Sequence, residues 1–179
     1  MNNNKPKTAE ATALKQAKDE FVLHWGAIGS AWGINRTMAQ IHALLLITPQ
    51  PLTTDEIMAE LAISRGNAHG NLRDLCGWGL VKKLMRKGER KELFEAEKDI
   101  WKMFCIIVRE RKRREIEPAI TTLKDCSVKA RNLKGSEAKA FHQQMSSLCE
   151  FVEMANRIME KVSQAEQSYV IPLALKMFG

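Results

Sequence analysis

Residues Leu52 to Ala96 read LTTDEIMAELAISRGNAHGNLRDLCGWGLVKKLMRKGERKELFEA, a pattern of two short helices, a tight turn between them, and a β-hairpin. Thr53-Thr54-Asp55-Glu56 is a capping-box pattern, with Thr53 at the N-cap and Glu56 reaching back to its backbone N–H. The first helix should end near Leu61. After the tight connection at Ala62-Ile63, Ser64 is a natural N-cap for a second helix running to about Trp78. Gly77-Trp78-Gly79-Leu80 closes it, Val81 to Arg86 reads as a strand, Lys87-Gly88-Glu89 as a turn and Lys91 to Ala96 as the return strand. That order is a winged helix-turn-helix.

At 100° per residue Ala68, Leu72 and Leu75 share one face of the second helix. The opposite face centres on Gly66 and Gly70, flanked by Asn67, Arg73 and Asp74. An exposed mid-helix glycine costs about 1 kcal/mol relative to alanine. Two of them facing outward make sense where something must approach the backbone closely, as a nucleic-acid groove would. A poor helix with a loose first turn is the other reading.

Charge is concentrated here. Between Ser64 and Lys91 lie eight basic residues, Arg65, Arg73, Lys82, Lys83, Arg86, Lys87, Arg90 and Lys91, opposed only by Asp74 and Glu89. The window carries a net +6 of the chain's +7. Basic charge focused on one supersecondary unit is an electrostatic footprint for a polyanion, and double-stranded DNA is the leading partner.

In such a fold the N-terminal residues of the second helix reach base edges in the major groove. Arg65 suits a guanine O6/N7 contact, and Asn67 or Asn71 an adenine pair, with Asn67 facing outward better. Ser64 and the first helical amides could hold a phosphate. Gly66, His69, Gly70 and Arg73 complete the candidate recognition surface. Arg86, Lys87, Gly88, Arg90 and Lys91 form a candidate wing that meets the backbone or a narrow minor groove.

The flanks are helical. Phe21, Trp25, Ile28 and Trp32 recur at helical spacing in a first helix from about Ala9, after a polar, disordered lead-in. Phe21, Trp25, Trp32 and Trp101 are also a candidate aromatic site for a quaternary ammonium effector, although such stripes are commonly core or dimer interface. A second helix from Ile34 to Ile47 turns Ile34, Met38, Ile41 and Leu45 inward. From Asp99, Ile100, Phe104, Ile107 and Val108 supply an apolar side, and Pro118 suits the first turn of a further helix reaching about Asn132. After Lys134-Gly135, Ser136 should cap a last helix in which Phe141, Met145, Leu148, Val152, Ala155, Met159 and Val162 keep a/d register, the seam of a homodimer or of an intramolecular bundle. The apolar tail Tyr169 to Phe178 is expected to dock on that bundle.

With 45% apolar and 27% charged residues the chain of 179 has an ordinary soluble composition. No apolar run nears the roughly 20 residues of a membrane span, and the start has no secretory h-region. A cytoplasmic location with four reduced, scattered cysteines follows. His24, His42, His69 and His142 lie far apart with no HExxH, and there is no Walker loop and no GxSxG, so neither enzyme, metal nor cofactor is expected.

Taken together, WGINRTMAQIHALLL (Trp32 to Leu46), PLTTDEIMAELAISRGNA (Pro51 to Ala68), NLRDLCGWGLV (Asn71 to Val81), KGERKELFEAEKDIW (Lys87 to Trp101) and RERKRREIEP (Arg109 to Pro118) resemble the GbsR branch of MarR-type regulators. The resemblance implies a homodimeric winged helix-turn-helix repressor whose N- and C-terminal helices build the dimer, in some relatives controlling choline or glycine betaine operons. It implies that Ser64, Arg65, Gly66, Asn67 and Asn71 fall in the recognition helix and Gly88, Glu89 and Arg90 in the wing.

The expectation is therefore a mainly α protein: a lead-in over residues 1–20, a DNA-binding domain over 21–98 and a helical dimerisation region over 99–179. It would be a ligand-responsive repressor acting on a pseudo-palindromic operator, its effector an osmolyte such as choline. The competing reading is a winged-helix module that docks an acidic protein and reads no DNA sequence.

Overall fold

Close packing of small residues decides how the N-terminal helices sit. The computed structural model describes residues 5–85 and 91–167, which fall into two units dividing between Lys98 and Asp99. In the first unit α1 (Lys5–Ala31) packs on α2 (Arg36–Ile47). Helix thus begins at Lys5, inside the expected lead-in. The aromatic stripe does not form the buried face. Val22, Gly26 and Gly29 are buried, Phe21 and Trp25 are half-buried, and Trp32 is 63% exposed. The cause is proximity: a Cβ on Gly29 would stand 2.5 Å from Ala39 Cβ, and one on Gly26 2.5 Å from Gln40 Cγ. A face of large side chains cannot come so near, so the aromatics turn outward.

Gly33, at φ +77°, turns the chain into α2, whose first turn is capped by Asn35 Oδ1 accepting from the Met38 N–H at 3.1 Å. Met38, Ile41 and Leu45 then point into the core as expected, with Ile57, Ala68, Leu72, Leu75 and Phe94. At the other end of α2, Lys98 Nζ donates to the carbonyls of Leu45, Leu46 and Thr48 at 2.5, 2.9 and 2.7 Å. A cation here satisfies orphan carbonyls and the negative end of the helix dipole together.

Over its described residues the quoted segment forms the expected helices and strands. β1 (Leu52–Thr53) leads into α3 (Thr54–Leu61), α4 (Arg65–Trp78), β2 (Val81–Met85) and β3 (Glu92–Ala96). The capping box is complete: the Thr53 N–H donates to Glu56 Oε2 at 2.7 Å, and the Glu56 N–H to Thr53 Oγ1 at 3.3 Å. The Thr53 N–H, and after it the Thr53 hydroxyl donating to the same Oε2 at 2.7 Å, hold the Glu56 carboxyl below its usual pKa. Ala62, left-handed at φ +50°, makes the tight turn to α4. Gly79, at φ +84°, ends α4 while the Leu80 N–H bonds Leu75 O at 3.1 Å. The antiparallel sheet has order β1-β3-β2, with Leu52 opposite Phe94 and Val81 opposite Ala96. Strand β1 is an addition to the expected hairpin: two residues show no alternation, and only pairing with β3 makes them a strand. The expected turn at Lys87-Gly88-Glu89 lies outside the described residues.

The second unit contains α5 (Ile100–Arg111), α6 (Glu117–Arg131) and α7 (Ser136–Gln164). Met103, Cys105 and Ile106 form the buried side of α5, whereas Ile100 and Phe104, expected inside, are exposed. Pro118 lies in the first turn of α6, as expected, but no break in the chain sets that helix off from α5. The chain runs from α5 to α6 through a π-helical turn over residues 112–116, in which the Glu117 N–H bonds Lys112 O. Proline lacks an N–H and crowds the carbonyl four residues back, and the wider turn relieves both faults. Lys112 Nζ ties this turn to α6 and α7 by reaching Glu117 Oε1 and Glu160 Oε2, each at 2.7 Å.

Helix α7 follows Gly135 at φ +111°, so Ser136 is its first residue and not its cap. Its a/d positions do not form its most buried line: Phe141 and Leu148 are exposed and the others half-buried, while Cys149 and Ser163 are buried. The contact with α6 is partly polar, Ser127 Oγ lying 3.0 Å from His142 Nδ1 and 2.9 Å from Ser146 Oγ. Exposed Phe141, Leu148, Phe151 and Ile158 continue along α7 as an uncovered apolar strip. The expected docking of Tyr169 to Phe178 lies outside the described residues.

Candidate nucleic-acid interface

The N-terminal half of α4 stands open on the surface of its unit. Ser64 Oγ caps it by accepting from the Asn67 N–H at 3.4 Å. Ala68, Leu72 and Leu75 anchor the inner face, which leaves Arg65, Gly66, Asn67, His69 and Arg73 exposed and Gly70 half-exposed. A Cβ added at Gly66 or Gly70 would meet nothing within 4 Å. Internal packing therefore gives no reason for glycine at either position.

Asn71 is placed differently from its neighbours. It is 8% exposed, and its Nδ2 donates to Asn67 O at 2.8 Å and to Asn67 Oδ1 at 2.7 Å. It cannot face a groove with Asn67, and instead orients it. From α2, Thr37 Oγ1 accepts from Asn67 Nδ2 at 3.4 Å. A carboxamide has two N–H donors and two acceptor lone pairs, so Asn67 keeps one of each for a base edge.

The basic window is less one-sided in space than in sequence. Arg65 Nη2 bonds Asp55 Oδ1 at 2.6 Å, and Lys91 Nζ lies 3.6 Å from Asp55 Oδ2. Arg73 Nε is 3.8 Å from Asp74 Oδ1, Lys82 Nζ 3.6 Å from Glu97 Oε2, and Lys83 pairs with Glu92. Three of these carboxylates, Asp55, Glu92 and Glu97, lie outside the Ser64–Lys91 window, and the net +6 did not count them. The helix-turn-helix bend and the β3 return bring them in. Among the described residues the charged face is thus largely ion-paired, each surface pair worth about 0–1 kcal/mol. Candidate wing residues Arg86, Lys87, Gly88 and Arg90 lie outside the described residues. Described Lys91 sits at the foot of β3.

Residues that matter here and were missed in the sequence are Asp55 and Thr37. Asp55 was legible in principle, since the turn at Ala62 folds the first turn of α3 back toward the first turn of α4. Thr37 had no local signal.

The four aromatics of the candidate effector site are divided between the two units, Phe21, Trp25 and Trp32 in the first and Trp101 in the second. Phe21 and Trp25 lie side by side along α1, ring centroids 5.5 Å apart. Trp101 is engaged inside the second unit, its Nε1 donating to Ala165 O at 2.9 Å beside the Phe104 ring. Among the described residues no group of three His, Cys, Asp or Glu side chains could hold a metal, and no helix is long and apolar enough to cross a membrane.

Comparison with known proteins gives no match to a family model. The chain is 24% identical over 176 residues to the HTH-type transcriptional repressor GbsR of Bacillus subtilis (strain 168), covering 93% of this chain and 97% of that one. It is 25% identical over 96 residues, 54% of each chain, to the putative HTH-type transcriptional regulator YvaV of the same organism. A crystal structure of a transcriptional regulator superposes with a TM-score of 0.61 at 19% identity, over 86% of this chain and 98% of that chain. That likeness shows a shared fold.

Proposed function

We propose that this chain, a GbsR-like protein by sequence, is a sequence-specific DNA-binding transcriptional regulator acting in the cytoplasm as a homodimeric repressor on a pseudo-palindromic operator. One observation carries the proposal: α4 presents Gly66 and Gly70, with nothing within 4 Å of either added Cβ, between Arg65, Asn67 and Arg73 on an uncovered helix. An approaching groove gives those two glycines a purpose at the N-terminal half of α4, the part of such a helix that a major groove admits. The names of both B. subtilis relatives support this reading over an acidic-protein docking module. Exposed apolar side chains on α1 (Leu14, Ile28), on Trp32 just beyond it, and along α7 (Phe141, Leu148, Phe151, Ile158) support a second copy as partner, since exposed apolar surface usually marks an interface.

Selection of bound duplexes from a random pool tests the proposal. A pseudo-palindrome with half-sites about 10 bp apart is expected, because dimeric helix-turn-helix proteins set that spacing. Affinity should fall with salt at a log–log slope of about −0.9 per neutralised phosphate. No enriched motif, or a flat salt dependence, would refute it. Ligand response is the further part of the proposal: a quaternary ammonium osmolyte stacked on exposed Trp32 should change Trp fluorescence and weaken operator binding.

A further inference from the structure

The exposed carboxylate of Asp55 lies where it can aim Arg65. Asp55 sits in the first turn of α3 and Arg65 is the first residue of α4, and Arg65 Nη2 donates to Asp55 Oδ1 at 2.6 Å. The second carboxylate oxygen is 3.6 Å from Lys91 Nζ at the foot of β3, so one side chain links three elements of the candidate interface. Beside the pair lies an open hollow of about 210 Å³, also lined by Thr53, Thr54, His69 and Lys91. Asp55 is not needed to start α3, because Thr53 and Glu56 form the capping box.

We propose that Asp55 is a specificity-determining positioning residue: it holds one edge of the Arg65 guanidinium so that the remaining N–H donors meet a guanine and not the nearest phosphate. The inference rests on the DNA-reading function proposed above. A guanidinium is a rigid fork with five N–H donors, and one bond to Asp55 leaves enough for the bidentate contact with guanine O6 and N7. An unrestrained arginine loses more side-chain freedom on binding, and phosphates offer it a sequence-independent alternative. The carboxylate acts against both: it limits the rotamers of Arg65, and its negative charge disfavours a phosphate at that place. Discrimination, more than affinity, is what Asp55 supplies.

The test compares Asp55→Asn, Arg65→Gln and the double variant on the selected operator and on an unrelated duplex of equal length. The Asn side chain matches Asp in shape, and Asp55 is exposed, so the fold is kept. Asp55→Asn should weaken operator binding about five- to tenfold, the scale of one bidentate contact partly lost, while the unrelated duplex binds equally or slightly tighter. In the Arg65→Gln background the same change should alter operator affinity less than about twofold, as coupled residues require. Parallel losses on both duplexes, or an undiminished operator loss without Arg65, would overturn the assignment. If the wild-type protein itself does not prefer the operator, the DNA-reading function fails before Asp55 is touched, so the two failures are distinct.

Discussion

Replacing Gly70 with alanine should move stability and DNA binding in opposite directions. Gly70 lies inside α4, and an added Cβ meets nothing within 4 Å, so the free protein gains helix propensity without a clash. That gain is about 1 kcal/mol, or a rise in Tm of about 2–4 °C for a chain of this size. In the complex the added methyl would occupy the space into which the groove must come, and about tenfold weaker operator binding, roughly 1.4 kcal/mol, is expected. Gly77 supplies the control. It is also exposed with nothing within 4 Å, and it lies seven residues further along α4, about 10 Å beyond Gly70 and away from the groove-reading end. Gly77→Ala should stabilise without weakening binding. Thermal unfolding and fluorescence anisotropy on the same preparations read both effects. Unchanged operator affinity in Gly70→Ala would show that nothing approaches this backbone closely, and the argument from the outward glycines would then fail.

Two further predictions concern the scaffold. His42 is buried with Nε2 unpartnered, and burial, aided by the Lys98 cation, lowers its pKa to about 4 from the usual 6.5. Since the unfolded chain takes up the proton first, stability is fully present above about pH 6.5 and falls by about 3 kcal/mol as the pH drops to 4. Urea unfolding across that window should show the loss in wild type and little of it in His42→Leu; equal slopes would refute the assignment. Lys98→Met removes the donor to three α2 carbonyls and should cost about 1–2 kcal/mol at pH 7. It should also raise the His42 pKa and so flatten the acid loss, which an NMR titration of the imidazole reads directly.

Local signals were legible in the sequence, and long-range ones were not. The capping box at Thr53 and Glu56, the Ser64 cap and the α4 core face depend on residues within one or two turns of each other, and all appear as read. The buried side of α1 was not legible in the aromatic stripe, because periodicity weighs residue size, whereas Gly26 and Gly29 win by allowing α2 to approach. Within one chain the α7 seam is not the most buried line, because the helix shares polar contacts with α6, and hydrophobic pattern alone cannot predict Ser127 against His142 and Ser146. The charge window was counted along the chain, while Asp55, Glu92 and Glu97 enter only when the chain folds back. Of the candidate site, Arg65, Asn67 and the glycines were visible as surface. That Asn71 serves Asn67, and that Asp55 holds Arg65, needed side-chain positions.

The π turn ahead of Pro118 also bears on how this chain can change length. In that turn the Glu117 N–H reaches back five residues to Lys112 O where an α-helix would reach four. One residue is therefore spare. Removing it from 112–116 would let the turn close to ordinary α geometry with the faces of α5 and α6 still in phase. The same deletion anywhere else between Ile100 and Arg131 would rotate everything beyond it by about 100° and take the contacts of Lys112 or Ser127 out of register. Among relatives of unequal length, gaps in this stretch belong at that turn.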